Sequence, residues 1–550
     1  MNDTEVLIIG AGPVGVTLAL ECWHRGLRCR IIEKRTEPSD KSKALAIWSA
    51  AQEALSHLGV VDELRERSLH PRALRMYSGR RLLVRVPSAL GIESTYPDMI
   101  ILPQCETEAI LTARLQALGG GIERGMEFED MEQKPDGVLV RLRHSDEQIE
   151  EVFCQYLAGC DGAHSAVRHA LAASFEGVAL PQCFVLCDVE ISGAALVPNE
   201  IGIYWSSRGF LAFFPIRGRV WRVIAMRGHA EGTANPTLSE MQEHVTEKGP
   251  GGLTLSNPTW LACFRISERK VEKFTHGRVM LAGDAAHIHS PTGGQGMNTG
   301  LQDAVNLGWK LEGILRGGLD GGKLLASYHE ERSPVAAKVI EEAGELLRVS
   351  MMSNPAARLV RDNALWLASR SRKFLTKRSI ALSGLDVQYQ PGVLIQKDTY
   401  WPEDYLLMGF PPGSLMRDGI VLTPQGIKVS LLAMISGTSW HLLLFSGRKP
   451  NYRDVSLLDT IKADVESETP WIHTSVIWCS RESIPGKDWL RDEDGSAHRH
   501  FGAELTAAYL VRPDGYVALR LQPAHFTPIR EYFASLQAVQ KSASAAVSAA

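Results

Sequence analysis

The chain has 550 residues, 45% of them apolar and 22% charged, and its 59 basic and 63 acidic side chains leave a net charge of −4. At ~150 residues per domain this length suggests three or four globular domains, and the composition excludes a disordered, collagen-like or small disulfide-stapled chain. The near-neutral balance gives no support to a global nucleic-acid or anionic-membrane partner, and no apolar run reaches the length of a membrane span.

Strand-like sequence begins at Glu5, which argues against a removable leader. Val6 to Ile9 is a short β-branched run of the kind found in buried parallel strands. Gly10-Ala11-Gly12-Pro13-Val14-Gly15 follows at once, Val16 to His24 reads as a helix closed near Gly26, and a second strand from Cys29 to Ile32 ends on Glu33. This βαβ unit carries Gly-x-Gly-x-x-Gly at its first turn. Gly10 permits the tight turn, Gly12 lets the backbone approach a pyrophosphate at the helix N-terminus, and Gly15 lets helix and strand pack closely. Glu33, eighteen residues after Gly15, is placed to accept hydrogen bonds from an adenosine ribose. These residues specify a dinucleotide without deciding between FAD and NAD.

Further along come LPQCETE at 102–108, an apolar stretch from Phe153 to Leu157, and DGAHSAVR at 161–168. Residues 183–270 then change character. Phe184 to Ile191, Ile201 to Trp205, Phe210 to Ile216 and Arg219 to Met226 are aromatic and β-branched runs separated by turn signals, which predict an antiparallel sheet. Tyr204, Trp205, Phe210, Phe213 and Phe214 are candidates for an aromatic cavity wall, although the two-residue strand period turns about half of them away from any one cavity. Arg222 is a candidate partner for an anionic substrate group, with packing on the sheet or a backbone carbonyl as its ordinary role.

A strand from Val279 to Ala282, capped by Gly283-Asp284, leads into HIHSPTGGQGMN at 287–298 and a helix from about Met297 to Leu315. An acid at a strand end can hold a polyol, and a glycine-rich loop at a helix N-terminus presents N–H groups and a positive dipole end. That environment stabilises negative charge on a reduced flavin. His289 is the candidate to meet a substrate hydroxyl as a base, since histidine titrates near neutral pH, with Tyr204 the second candidate; His287, nearer the strand, reads as structural. Leu324 to Leu347 continues as an amphipathic helix, and Leu359 to Phe374 reads as helical with a basic face turned to solvent. A passage with Pro391, Pro402, Pro411 and Pro412 reads as a linker. From about Trp440 a new α/β pattern begins: strands at His441 to Phe445 and Val476 to Trp478, helix within Ser456 to Glu468, a strand–turn–strand across Tyr509 to Leu519, and a closing helix from Phe526 to Gln537.

The motifs GAGPVG at 10–15, DGAHSAVR at 161–168 and GDAAHIHSPTGGQGMN at 283–298, with LPQCETE and YHEERSPVA at 328–336, resemble the single-component FAD-dependent aromatic hydroxylases over essentially the whole chain. The resemblance implies an α/β fold: a Rossmann-like FAD-binding domain at 1–180 and 271–390, an antiparallel-sheet substrate domain at 181–270 roofing the flavin, a linker at 391–435, a thioredoxin-like domain at 436–540 and a flexible tail at 541–550. It implies cofactor contacts from Gly10, Gly12, Pro13, Gly15, Glu33, Lys34, Lys43, Ala44, Gln104, Asp161, Gly162, Arg168, Gly283, Asp284, Pro291, Gly293, Gly294, Gln295, Gly296, Met297 and Asn298. Asp284 would bond the ribityl–pyrophosphate region, residues 293–298 would wrap the isoalloxazine, and Pro291 would sit beside its reacting edge. Lys43-Ala44 stands where such proteins often carry Arg-Ala, keeping the charge but not the planar fork. The substrate pocket would include Trp48, Phe213 and Arg222, and the catalytic set His289, Pro291 and Tyr204.

The implied activity is hydroxylation of a phenolic or polyketide-like substrate through a flavin C4a-hydroperoxide, with NADPH or NADH as a transient reductant and O2 as co-substrate. The same scaffold is compatible with Baeyer–Villiger insertion, epoxidation or dehalogenation, and at one remove with a flavin reductase or redox sensor. The expected partners are a small aromatic molecule and a second copy of the chain in a homodimer, with no nucleic acid, membrane span or metal. Nine scattered cysteines without Cys-x-x-Cys read as the reduced thiols of a cytoplasmic enzyme. Cys479 alone follows residue 400, so the C-terminal domain lacks dithiol chemistry and has a structural or dimerisation role.

Overall fold

The computed structural model describes residues 4–538 except 41, 194, 208, 228–233, 292, 398–408, 436–438, 483 and 485, and the side chains of 181 and 182. The tail expected to be flexible, 541–550, and Pro402 of the linker lie outside the described residues. The chain divides into two compact units, 1–305 with 332–387, and 306–331 with 388–550.

The first unit is built on two sheets. In the first, the strands Val279–Leu281, Ile149–Gly159, Thr4–Ile9, Cys29–Glu33 and Ile122–Arg124 lie side by side in that order and run parallel. Thr4–Ile9 is buried along its whole length at the centre, which is why its sequence is almost unbroken in apolar character. The helix Pro13–His24 starts with proline in its first turn, where the missing N–H costs no hydrogen bond, and chain reversal at Gly26 uses a φ of +67°.

The second sheet has eight strands, in the order His287–Ile288, Thr254–Val271, Phe175–Ser192, Val220–Arg227, Gly209–Arg217, Glu200–Ser206, Ala73–Ser78 and Arg81–Pro87. It therefore reaches beyond the segment 181–270, recruiting 73–87 from far upstream. Glu200–Ser206 pairs with Ala73–Ser78 in parallel, so the sheet is mixed and not wholly antiparallel. The join is held by Glu200, buried, which receives Arg75 and, at 2.7 Å, Arg85. One face, with Tyr204, Leu211, Phe213, Val223 and Ala225, packs on Met241 and Val245 of the helix Leu238–Lys248. The opposite face turns Ile203, Phe214 and Ile216 towards Leu45, Ala46 and Trp48.

The second unit centres on a seven-stranded sheet in the order Lys428–Ser430, Ile420–Leu422, Leu490–Arg491, Ile472–Trp478, Trp440–Phe445, Ala507–Val511 and Val517–Leu521. Two strands of the expected linker, 420–422 and 428–430, thus extend this sheet. The helices Tyr452–Glu468 and Thr527–Leu536 cover one face through Leu458, Ile461, Val465, Ile529, Tyr532 and Phe533. Arg512 is fully buried between Glu331, at 2.5 Å, and Asp514, while Lys310 reaches Glu331 at 2.8 Å. Burial pulls the Lys310 ammonium down to about 8 even beside that carboxylate, an arrangement tolerated only because every charge is answered.

Candidate active site

Parallel pairing brings the separated motifs together. Ile9 is in register with Gly159, Gly159 with Leu281, and Ile9 with Ile32. The residues that follow, Gly10, Cys160-Asp161, Ala282 to Asp284 and Glu33, therefore meet at the carboxyl edge of one sheet, where open α/β sheets bind ligands. Backbone bonds fasten the seam: Cys160 N–H donates to Ile9 O at 2.8 Å, and Ala282 N–H to Gly159 O at 3.0 Å.

The glycines of the first turn serve two different needs. A Cβ on Gly15 would lie 1.9 Å from Gly10 O, and one on Gly10, at φ +99°, would lie 2.6 Å from Cys160 O; both are demanded by the protein itself. A Cβ on Gly12 would meet nothing within 4 Å, and its φ of −74° suits any residue. The chain's own packing gives no reason for glycine there, whereas close approach of a ligand does. Gly12 is also the N-cap of Pro13–His24 and offers no side-chain cap, so the first N–H groups of that helix are available to a phosphate. Glu33 takes Ala11 N–H at 2.9 Å and Arg35 N–H at 3.1 Å; burial works to raise its pKa, and these donors outweigh it and hold the carboxyl below its ordinary range.

At the second motif, Asp161 Oδ2 accepts from Ala166 N–H at 2.6 Å and Val167 N–H at 3.2 Å. Its Oδ1 is buried without a partner, and burial raises the pKa of the carboxyl. Gly162 has a φ of +81°. Arg168 is buried and works inside the protein, donating to Ala285 O at 3.0 Å and Ala163 O at 2.8 Å with Phe175 stacked 3.9 Å away. It ties the second motif to the turn that carries Asp284. Asp284 itself is exposed and yet surrounded by protein, with Lys43 and His287 near enough for their charges to act on it, which places it in the floor of a cleft.

Asp303 and Arg332, not singled out from the sequence, hold that turn from behind. Asp303 accepts Gly283 N–H at 3.1 Å, His287 Nε2 at 2.7 Å and Arg332 Nε at 2.8 Å, all fully buried. The available signal was an acid on the apolar stripe of the helix Gly296–Leu315. His287 is structural, as expected.

Gln104 opens the helix Gln104–Ala117 and latches the distant loop of Ser42 and Ala44: its Oε1 accepts Ala44 N–H at 3.1 Å, its backbone N–H donates to Ser42 Oγ at 2.6 Å, and its Nε2 donates to Glu108 at 2.8 Å. Lys43 is exposed beside the cleft. Lys34 pairs at the surface with Glu127 at 2.5 Å.

The loop after Pro291, an exposed residue, is shaped by Gly293 at φ +93° and Gly294 at +65° before the helix begins at Gly296. Asn298 fixes it entirely through protein bonds, donating to Ala46 O and Gly294 O and accepting Trp48 N–H. The Trp48 indole N–H donates to Gly293 O at 3.1 Å and Gln295 Nε2 to Leu382 O at 2.8 Å. Asn298, Trp48 and Gln295 are thus clamps on the loop, leaving the backbone of 293–297 to face the cleft, with Met297 half-buried. His289 Nδ1 donates to Ser290 O at 2.7 Å, so the ring is the Nδ1–H tautomer with a lone pair on Nε2; that atom is buried without a partner. A Cβ on Gly296 would stand 3.6 Å from it. Burial pulls the His289 pKa down to about 4, leaving the ring neutral.

The sheet above corrects three sequence expectations. Tyr204 stacks on Tyr77 at 4.6 Å and meets Phe213 edge-on at 5.6 Å, both on the far face against the helix Leu238–Lys248. Neither lines the cleft, because strand alternation puts Ile203 and Phe214 on the near face instead. Arg222 is on the near face but is gripped by Asp188 through two bonds of 2.7 Å and by Lys43 O at 3.2 Å; its charge is already answered and does not await an anionic substrate.

An uncapped helix N-terminus, a turn open only to a ligand, an acid in a cleft floor and two unpartnered buried acceptors suit a phosphate-bearing, polyol-linked ring cofactor such as FAD. Residues 3–343 match a protein family described as the FAD binding domain. The chain is 32% identical to a 6-methylpretetramide 4-monooxygenase of Streptomyces rimosus, over 96% of this chain and 92% of that one. It is 27% identical to a pentachlorophenol 4-monooxygenase of Sphingobium chlorophenolicum over 94% of each. Among solved structures, the anhydrotetracycline hydroxylase OxyS of Streptomyces rimosus superposes with a TM-score of 0.76 at 27% identity, over 97% of this chain and 99% of that one.

Proposed function

The chain belongs to the family of FAD-dependent aromatic monooxygenases, and from that premise we propose that it hydroxylates an electron-rich aromatic substrate of phenolic or polyketide-like type, with NADPH or NADH as reductant and dioxygen as co-substrate. The observation that carries this reading is the pairing of an apolar sheet face, Ile203 and Phe214, with a glycine loop clamped by Asn298 and Trp48. Arg222 on this face is already bound by Asp188, which leaves exposed Lys43 as a cation beside these groups.

When bound, FAD supplies the electron transfer from the reductant and the activation of oxygen. The chain's own residues bind, orient and keep dry. Gly12 and the N-terminus of Pro13–His24 hold the pyrophosphate, with Lys43 adding positive charge; Glu33 faces the ribose; Asp284 and Gln104 border the ribityl region. The backbone after Gly294, whose own N–H is spent on Pro291 O, would present N–H groups and the positive end of Gly296–Leu315 to the isoalloxazine, with Pro291 on the same loop. Neutral His289 offers its Nε2 lone pair as a hydrogen-bond acceptor that orients a substrate hydroxyl; with its pKa pulled down by burial it does not take the proton. The apolar near face excludes water, which keeps reduced oxygen from escaping as peroxide. For the second unit we propose a thioredoxin-like fold with a structural role, because its parallel pair Trp440–Phe445 and Ile472–Trp478 continues into antiparallel Ala507–Val511 and Val517–Leu521 and it holds one cysteine, Cys479.

The test mixes the yellow protein with NADPH or NADH and a panel running from simple and halogenated phenols to polycyclic phenols, following oxygen uptake and product mass together. Substrate-stimulated oxidation with one oxygen atom added to the ring is expected. Oxidation yielding peroxide alone across the panel would overturn the hydroxylase reading, and release of halide would redirect it to dehalogenation.

A further inference from the structure

The helix Pro355–Ala368 is folded with its charges inward. The sequence predicts a solvated basic face here, yet Arg361 and Asp362 are buried at 8% and 9% exposure. Arg361 bonds Asp362 Oδ1 at 2.9 and 2.7 Å and Val349 O at 2.8 Å, with its guanidinium 4.8 Å from the Trp205 ring. What faces outward is apolar: Pro355, Ala356, Ala357, Leu359, Val360, Ala364 and Leu367 are exposed, and Asn363 is the sole polar residue among the exposed positions of this helix. Leu359, Val360 and Leu367 are 62%, 70% and 65% exposed. Ala356, Val360, Ala364 and Leu367 follow helical spacing, so they form one stripe. Leu82, on the neighbouring strand Arg81–Pro87, adds to it at 37% exposure. Soluble proteins seldom leave a contiguous apolar face of this kind without a partner for it.

The rim is basic. Arg370, Arg372, Lys373, Lys377 and Arg378 are all exposed, and no Asp or Glu occurs between Asn363 and Gly384. Trp366, half-buried, lies at the boundary between Arg370, 3.6 Å from its ring, and Arg81, 5.5 Å away. An apolar helical stripe with an indole at its border and unanswered cations beside it matches the surface of an anionic bilayer. A second copy of the chain matches it less well, since a two-fold pairing of this surface would bring its basic rims together, and the one carboxylate of the helix, Asp362, is buried against Arg361.

We propose that the stripe of Leu359, Val360 and Leu367, with its rim of Arg370, Arg372 and Lys373, seats the protein on an anionic phospholipid surface. The helix lies in the interface and does not span it: no helix among the described residues is long and apolar enough to cross a membrane. Seated there, the enzyme draws on the phase into which apolar aromatic molecules partition.

The experiment is co-sedimentation of the FAD-loaded protein with vesicles of phosphatidylcholine, with and without about 30% phosphatidylglycerol. Binding should rise at least about tenfold with the anionic lipid and fall back in roughly 0.5 M salt. Leu359→Asp with Leu367→Asp, and separately Arg372→Glu with Lys373→Glu, should each abolish it while FAD content and turnover of a water-soluble phenol persist. Failure of the wild-type protein to bind anionic vesicles, or undiminished binding by either double variant, overturns the proposal. So does a dimer in sedimentation equilibrium that Leu359→Asp with Leu367→Asp splits, which would assign the stripe to a copy of the chain.

Discussion

Replacing Gly12 by alanine separates a ligand's requirement from the protein's. The added methyl would meet no atom of the chain within 4 Å, and a φ of −74° is ordinary for alanine. The loss of a good N-cap residue costs at most about 1 kcal/mol, partly offset by the lower entropy of the unfolded chain, so the apoprotein should melt within a few degrees of the wild type. If a pyrophosphate packs against this backbone, the methyl overpacks that contact, at a cost of about 1–3 kcal/mol. That converts to a roughly 5- to 150-fold weaker FAD affinity. Gly15→Ala is the contrast: its methyl would lie 1.9 Å from Gly10 O, so the apoprotein itself should fail to reach native stability. The assay is FAD titration of the apoprotein by quenching of flavin fluorescence, alongside thermal unfolding without cofactor. An unchanged FAD dissociation constant in Gly12→Ala would refute the placement of the pyrophosphate at this turn.

Asp188→Asn leaves Arg222, 1% exposed, without its counter-charge and should cost about 3 kcal/mol or more; an unchanged urea midpoint would show the pair to be dispensable. Tyr204→Phe should keep kcat/KM within about twofold because Tyr204 is core, whereas Phe214→Ala should raise KM and peroxide leakage; the reverse pattern would invert the assignment of sheet faces. His289, with its folded pKa pulled by burial to about 4 against 6.5, binds protons more weakly folded than unfolded. The stability this contributes is complete above about pH 6.5 and is lost as pH falls towards 4, so His289→Asn should lose less stability than the wild type over that window, as measured by urea unfolding at each pH. Cys479→Ser should leave turnover unchanged, since the second unit has no other cysteine; a large loss would point to thiol chemistry there.

The dinucleotide turn was legible from local sequence because its requirements are local: a glycine that takes φ +99°, a glycine where any Cβ would lie 1.9 Å from a carbonyl oxygen, and a proline-started helix are written within six residues. The family, the cofactor and the enzyme class followed from three such motifs in order. Their meeting point came from the structure, where parallel pairing sets the residues after Ile9, Gly159 and Leu281 at one edge.

What local pattern left open was which side of an element faces which neighbour. Alternation along Glu200–Ser206 and Gly209–Arg217 defines two faces but not which one looks at the flavin loop. Packing of Leu238–Lys248 on the Tyr204 side decided it, and Phe214 rather than Phe213 borders the cleft. Arg222 looked free until strand pairing set Asp188 opposite it, thirty-four residues away. Recruitment of Ala73–Ser78 into the middle sheet likewise rests on pairing across more than a hundred residues. The helix 355–368 turned its charges inward because Asp362 and the Val349 carbonyl could answer Arg361 within the fold. The sequence by itself determined the chemistry, because motifs are short-range; tertiary structure alone decided facing and partnership, because a buried charge or ring is placed by whatever distant group completes it.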